Sequence, residues 1–252
     1  MKPITLYSYP TSPYAQKVGC YLKYKHLDYS FVAVNPLHNK EIAFSQQTQV
    51  PVLMIGDEWR KNSSDLGVWL DELHPERPIL PVDQNAREKV LAIDGWISSS
   101  LIPSYFRGGV EWENTWNAIR NGWKLASAVN DATPLPFFIR MIWPFAVKRA
   151  PFINRMVSQL DLTESLADMN VRLQKEFKDH LAEGPFLGSQ SLPTLADLSA
   201  FPIIASSTFM GMKREQAVIN DPVIQAWAKR VHSHLPKNPL LVPDSVLETL
   251  EL

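Results

Sequence analysis

Cysteine is nearly missing from this chain: Cys20 stands alone in 252 residues. An intramolecular disulfide is therefore excluded. One thiol fits a reducing compartment, so the cytoplasm is the expected location. Charge excess is missing too. Lys and Arg number 25 against 26 Asp and Glu, and the net charge is -1. That balance supplies no basic stripe of the kind nucleic acid requires, and no nucleic-acid partner is expected. No apolar run reaches the roughly 20 residues that a transmembrane helix needs. The most apolar stretch, Leu135 to Phe152, is cut by Arg140, Pro144, Lys148 and Arg149. Such aromatic stretches are more often core or pocket lining. The other reading lays it on a membrane surface with Phe137, Phe138, Trp143 and Phe145 inserted. The opening MKPITLYSYP has one Lys and no long apolar run, so it is not expected to be a signal peptide. The 6 His form no HExxH motif, and His232 and His234 point to different sides of a helix. No metal site is expected. Walker A, GxGxxG and GxSxG motifs are absent as well.

What remains is a globular composition, 45% hydrophobic and 20% charged, in a length suited to one large or two modest domains. Ile4 to Tyr9 alternates β-formers and reads as a strand. Ser12-Pro13 is a helix start, with an N-cap candidate before Pro, and the apolar face of Tyr14, Val18, Tyr21 and Leu22 carries the helix to about Lys25. Tyr29 to Val34 is a second strand, which the βαβ order makes parallel to the first. A polar stretch follows, with a short helix near Lys40 to Phe44. Val50 to Met54 is a third strand with Pro51 at its head, Gly56-Asp57 turns, and Glu58 to Lys61 returns. Asn62-Ser63-Ser64-Asp65 caps a helix carrying Leu66, Trp69, Leu70 and Leu73. The order is βαβ, then ββα.

The proline-rich stretch His74 to Pro81 reads as a linker, and everything after it reads as helix. The expected division is 1–77, a linker 78–86, and an all-helical part 87–252. Val90, Ile93, Ile97 and Leu101 share one face of a helix that stops before Pro103. Leu166, Met169, Leu173, Phe177 and Leu181 form another stripe. Thr194-Leu195-Ala196-Asp197 has capping-box spacing. Val223, Trp227, Val231 and Leu235 mark a last long helix.

Three local signals in the first third can bind a ligand. Ser12 sits at a helix N-terminus, where free N–H groups and the dipole favour an anion; as an isolated residue it reads first as a simple cap. Val50-Pro51 opens a strand. A cis bond there would leave the Val50 backbone free to pair with an extended ligand, and an ordinary trans Pro is the commoner reading of the dipeptide. Asn62-Ser63 begins a second helix and suits a carboxylate, or again only caps. Their order and spacing are more telling than any one of them.

The runs ITLYSYPTSPYAQKV, QVPVLMIGDEW and NSSDLGVWLDEL resemble the N-terminal domain of the cytosolic glutathione transferase superfamily. PTLADLSAFPII and DPVIQAWAKRV resemble segments of that family's helical C-terminal domain. The resemblance implies an α/β thioredoxin-like domain (βαβ–ββα) followed by an all-α domain. It places Ser12 where the family has its catalytic Ser or Cys, and Val50, before a cis Pro51, where backbone pairs with the cysteinyl part of glutathione. Ser63 falls where a hydroxyl binds the γ-glutamyl carboxylate. Asn62 replaces the usual Glu or Gln, and Lys40 could reach the glycyl carboxylate. Glutathione is the implied co-substrate and a small electrophile the implied second substrate, with a homodimer as the family's usual state.

The motif reads Ser-Pro-Tyr-Ala, so Ser12 and Ala15 supply no thiolate for thiol–disulfide exchange. Cys20, two turns inside the helix, reads as a buried apolar filler. Activation of the glutathione thiolate by Ser12 is the mechanism left, with Tyr7, Tyr9 and Tyr14 as alternative hydroxyl donors. Tyr14, Tyr105, Phe106, Trp112 and Trp116 are candidates to line the electrophile pocket, although core packing is the commoner role for such residues. The alternative function is a non-catalytic binding or regulatory module on the same fold.

Overall fold

The computed structural model describes residues 2–111, 115–146, 151–212 and 216–252. Strand β1 (Ile4–Ser8) is followed by α1 (Pro13–Tyr24), β2 (Ser30–Ala33), a 3₁₀ turn Lys40–Ser45, β3 (Val52–Ile55), β4 (Glu58–Lys61) and α2 (Ser63–Leu73). The strand order is β2-β1-β3-β4. β1 runs parallel to β2, as a right-handed βαβ crossover requires, and antiparallel to β3, which pairs antiparallel with β4. Gly56 takes a positive φ of 62° at the hairpin turn. This is the thioredoxin-like arrangement, and every element from α3 onward is helical.

Those helices are α3 (Gln84–Trp96), α4 (Ile102–Glu111), α5 (Thr115–Ala132), α6 (Phe137–Ala146) and α7 (Pro151–Val157), then α8 (Leu166–Leu181), α9 (Leu195–Phe209), α10 (Ala217–Asn220) and α11 (Pro222–His232). The stripe on α8 is buried at all of its expected positions. On α11 the buried face is Ile224, Trp227, Ala228 and Val231; Val223 is exposed, and the helix ends before Leu235. Trp227 and Val231 face inward as the spacing suggests, while at the first turn, after the cap Asp221 and Pro222, Ile224 takes the inward place expected of Val223.

The expected stop before Pro103 is not seen. α3 passes through a π-helical turn, Ile97–Leu101, directly into α4. In that turn the Ile102 N–H donates to the Ile97 carbonyl, five residues back. The Ser98 carbonyl would then look to residue 103, which is Pro and has no N–H. Its donor is instead the Tyr14 hydroxyl of α1, at 3.1 Å. The helix survives its proline because another element supplies the missing hydrogen bond.

α1 holds the two halves together. It packs against α2 and α9, and nine of its twelve residues are buried. Lys17 is among them, with no exposed side-chain surface, and its Nζ lies 2.7 Å from Oδ1 of the buried Asp94 on α3. Lys17 also donates to Ser98 Oγ at 2.8 Å. Ser64 at the start of α2 donates to Asp94 Oδ2, and Ser199 of α9 to Asp94 Oδ1. Ser199 in turn shares a 2.6 Å hydrogen bond with the Tyr21 hydroxyl. One ion pair and its hydroxyl shell thus join α1, α2, α3 and α9. Burial pulls the Lys17 ammonium below its ordinary pKa, and Asp94 opposes that shift.

The segment between α2 and α3 is tied down as well. The N–H groups of Ile79 and Leu80 donate to Asp71, and the Leu195 N–H donates to the Ile79 carbonyl at 2.7 Å. The chain after α11 returns to α1: Lys23 donates to the Asn238 carbonyl, and the Leu241 N–H donates to Gln16. At the start of α9 the capping box is present. Asp197 accepts from the Thr194 N–H and hydroxyl, the Leu187 N–H and the Trp227 indole N–H. Complete burial still pushes its carboxyl up to about 6 against those four donors.

Replacing one partner of the buried pair, Asp94→Ala, should lower the unfolding free energy by about 3–5 kcal/mol, since Lys17 is left uncompensated. Lys17→Met with Asp94→Leu should recover most of that loss in urea melts. Tyr14→Phe should cost about 1–2 kcal/mol through the orphaned Ser98 carbonyl. That cost should shrink in a Pro103→Ala background, where residue 103 regains an N–H; a double-mutant cycle measures the difference.

Candidate functional site

The sheet register brings the three ligand signals to one edge. Tyr7 of β1 lies opposite Val52 of β3, and Val52 lies opposite Lys61 of β4. The chain leaving β1 toward Ser12, the chain entering β3 from Val50-Pro51, and the chain leaving β4 toward Asn62-Ser63 therefore emerge side by side. Neighbouring strands lie about 4.8 Å apart, so this edge spans the length of a short extended peptide.

Ser12 is the N-cap of α1, with extended φ and ψ of -71° and 120°. Its side chain makes no capping hydrogen bond. The first turn of α1 is closed by the Ser12 carbonyl, which accepts from Ala15 and Gln16. Pro13 has no N–H, so the Tyr14 N–H is left pointing off the helix end with the Ser12 hydroxyl. Ser12 thus stands at the N-cap position without a side-chain capping hydrogen bond.

The Val50-Pro51 bond is cis, and Pro51 is buried. Among the described residues the Val50 backbone N–H and carbonyl take part in no backbone hydrogen bond. Asn62 has a positive φ of 70° and caps α2 with its own side chain, accepting from the Ser64 N–H at 3.3 Å. Its amide oxygen is thereby spent on the helix. Ser63, next along, is the first helical residue and is buried. Ser64 faces the other way, onto Asp94. Lys40 begins the 3₁₀ turn in the crossover between β2 and β3, and it is exposed.

The tyrosines separate by surroundings. Tyr7 packs edge-on against Phe44 with ring centroids 5.2 Å apart, and the Tyr9 hydroxyl donates to Asn39 at 2.7 Å. Both belong to the small cluster of Val34, Ile42 and Val52 beneath the 3₁₀ turn. The Tyr14 hydroxyl is engaged with Ser98 and lies 3.3 Å from the Met156 sulfur of α7; burial pushes its pKa up to about 12. Cys20 is fully buried, and burial raises its thiol to about 12, so almost no thiolate forms near neutral pH.

The electrophile-pocket candidates fall on several elements. Tyr105 and Phe106 meet edge to face on α4, and Phe106 continues onto Phe152 of α7. Trp116, on α5, is 82% exposed. Trp112 lies outside the described residues. Among the described residues no group of three or more His, Cys, Asp or Glu could hold a metal ion, and no helix is long and apolar enough to cross a membrane.

The motif reading missed Lys17, Ser64, Asp94, Ser98 and Ser199, which lie behind the ligand edge and connect α2 to α1 and α3. A signal for them exists. Lys17 falls with Tyr21 on the apolar face of α1, and Asp94 falls with Val90 and Ile97 on that of α3. A charge on an apolar helix face needs a partner once buried, so each position is marked, and the fold supplies the partner.

Residues 6–78 match the glutathione S-transferase N-terminal domain. Prostaglandin E synthase 2 of Danio rerio is 40% identical over 63 residues, which is 25% of this chain and 17% of that protein. A zeta-class glutathione S-transferase of Euphorbia esula is 31% identical over 105 residues, 40% of this chain and 47% of that protein. The chain thus spans less than half the length of these curated relatives. Human glutathione transferase theta-2, solved in complex with glutathione and an unknown ligand, superposes with a TM-score of 0.61 at 19% identity, covering 94% of this chain and 84% of that one. At that identity the likeness is one of fold. The chain therefore has the fold of the glutathione transferases, a thioredoxin-like unit followed by helices, and its match to the family by sequence lies in residues 6–78.

Proposed function

We propose that this chain is a glutathione-dependent transferase or isomerase that activates the glutathione thiol through Ser12. The observation that carries this reading is the uncommitted Ser12 hydroxyl at the N-terminus of α1, beside the free Tyr14 N–H. A hydroxyl donor and a helix N-terminus both favour sulfur as the thiolate. The remaining contacts follow along the same edge. The Val50 backbone pairs with the cysteinyl unit, as one more strand would. The Ser63 hydroxyl and the start of α2 receive the γ-glutamyl carboxylate. Lys40, exposed on the crossover, supplies a cation for the glycyl carboxylate.

Chemically, the bound thiolate attacks the electrophile and the protein forms no covalent bond. Ser12 donates one hydrogen bond to sulfur before attack. The match to the N-terminal domain family and the zeta-class relative support glutathione as the co-substrate. The buried Cys20 and the absence of Cys at positions 12 and 15 argue against disulfide exchange by the protein itself. We place the electrophile between the head of α1 and the Tyr105–Phe106 part of α4, on the side where Tyr14 meets Ser98.

Calorimetry should show wild type binding glutathione. Ser12→Ala should still bind but raise the pKa of the bound thiol, read from thiolate absorbance, and slow conjugation by about 100-fold. Conjugation by Ser12→Ala at the wild-type rate would remove Ser12 from the mechanism. Ser63→Ala should weaken glutathione binding by about tenfold, with little change in turnover at saturation. A wild-type chain that binds no glutathione at all overturns the reading in favour of a non-catalytic module.

A further inference from the structure

Within the stretch expected to be core or pocket lining, Leu135 is buried but one face of α6 lies on the outside. On α6, Phe137, Phe138, Met141, Ile142 and Phe145 are between 47% and 76% exposed. Their spacing of i, i+1, i+4, i+5 and i+8 places them on one face of the helix. The opposite side of α6 folds back on α5. Phe152, at the start of α7, is 51% exposed as well. A contiguous patch of large apolar side chains is uncommon on a soluble surface and marks something that covers it.

Charge decides what covers it. Between Asp131 and Asp161 the chain has four basic residues, Arg140, Lys148, Arg149 and Arg155, and no acidic one, while the chain as a whole carries -1. Among the described residues neither Arg140 nor Arg155 has an ion-pair partner. A second copy docking through this patch about a two-fold axis would bring the Arg140 side chains of the two copies toward one another, which opposes association. An anionic lipid surface meets both requirements. Its headgroups pair with the arginines and its acyl boundary accepts the phenylalanines. α6 is too short to cross a bilayer, so it would lie in the interface plane.

We propose that the exposed face of α6, with Phe152 of α7, is a peripheral membrane-docking surface selective for anionic lipid. This does not depend on the glutathione reading, since none of these residues belongs to the ligand edge.

The test is vesicle flotation of the full chain. Vesicles of phosphatidylcholine mixed with phosphatidylserine should carry the protein up, and phosphatidylcholine alone should carry far less. Raising salt should release it. Each of Arg140→Gln and Arg155→Gln should weaken partitioning roughly fivefold. Phe137→Ser with Phe145→Ser should abolish flotation and leave the melting temperature unchanged, because both side chains are already in water. No flotation with the mixed vesicles, or equal flotation with both kinds, overturns the proposal. So does a wild-type dimer in sedimentation velocity that the phenylalanine substitutions turn into monomer, which would assign the patch to a second copy.

Discussion

Burial of α1 on all sides is the constraint on which the rest of the structure depends. The helix packs against α2 and α9, shares its core with residues of β1 and β3, and bonds through Gln16 and Lys23 to the returning C-terminal segment. Space is short: a Cβ added at Gly67 of α2 would sit 2.5 Å from Leu195 at the start of α9 and 3.0 Å from the Tyr21 ring. In so closed a place Lys17 needs Asp94, and Asp94 needs Ser64 and Ser199 to satisfy its oxygens. The polar groups in the junction are therefore tied to one another, and a shift in one helix disturbs hydrogen bonds on three others.

That rigidity is what gives Ser12 its meaning. A helix fixed along its whole length has a fixed N-terminus. The hydroxyl at position 12 keeps one place relative to Val50 and Ser63, which leave the same sheet edge. Asn62 shows how the labour is divided. Its side chain caps α2 so that Ser63 need not, and Ser64 turns inward to the ion pair. Three consecutive residues thus serve the helix, the proposed ligand edge and the junction with α3. The π turn repeats the theme, because Tyr14 leaves the site with its hydroxyl committed to the Ser98 carbonyl.

The helical unit beyond α4 follows a looser rule. α8, α9 and α11 close around Phe177, Trp227 and the buried Asp197, whose four donors hold it in place. α5 and α6 instead form a pair with one side turned to solvent. Apolar composition there does not mean burial, because α5 lies between α6 and the rest of the molecule and leaves the far face of α6 uncovered.

Local chemistry alone determined much of this protein. The strands β1, β2 and β4, the Ser12-Pro13 start of α1, the Asn62 cap and the Thr194–Asp197 capping box are set by residues within a few positions of one another, so they are legible in order along the chain. The parallel β1–β2 pairing follows from the crossover. Tertiary structure decided the rest. Whether Pro103 breaks a helix depends on Tyr14, far along the chain from Ser98, and the inward face of α11 depends on Phe177 of α8 and Asp197 of α9. The Lys17–Asp94 pair joins residues 77 apart in number, on two apolar faces whose meeting no local pattern records. The outward stripe of α6 has the same origin: its periodicity is that of any buried helix, and only the count of neighbours around it leaves one face in water.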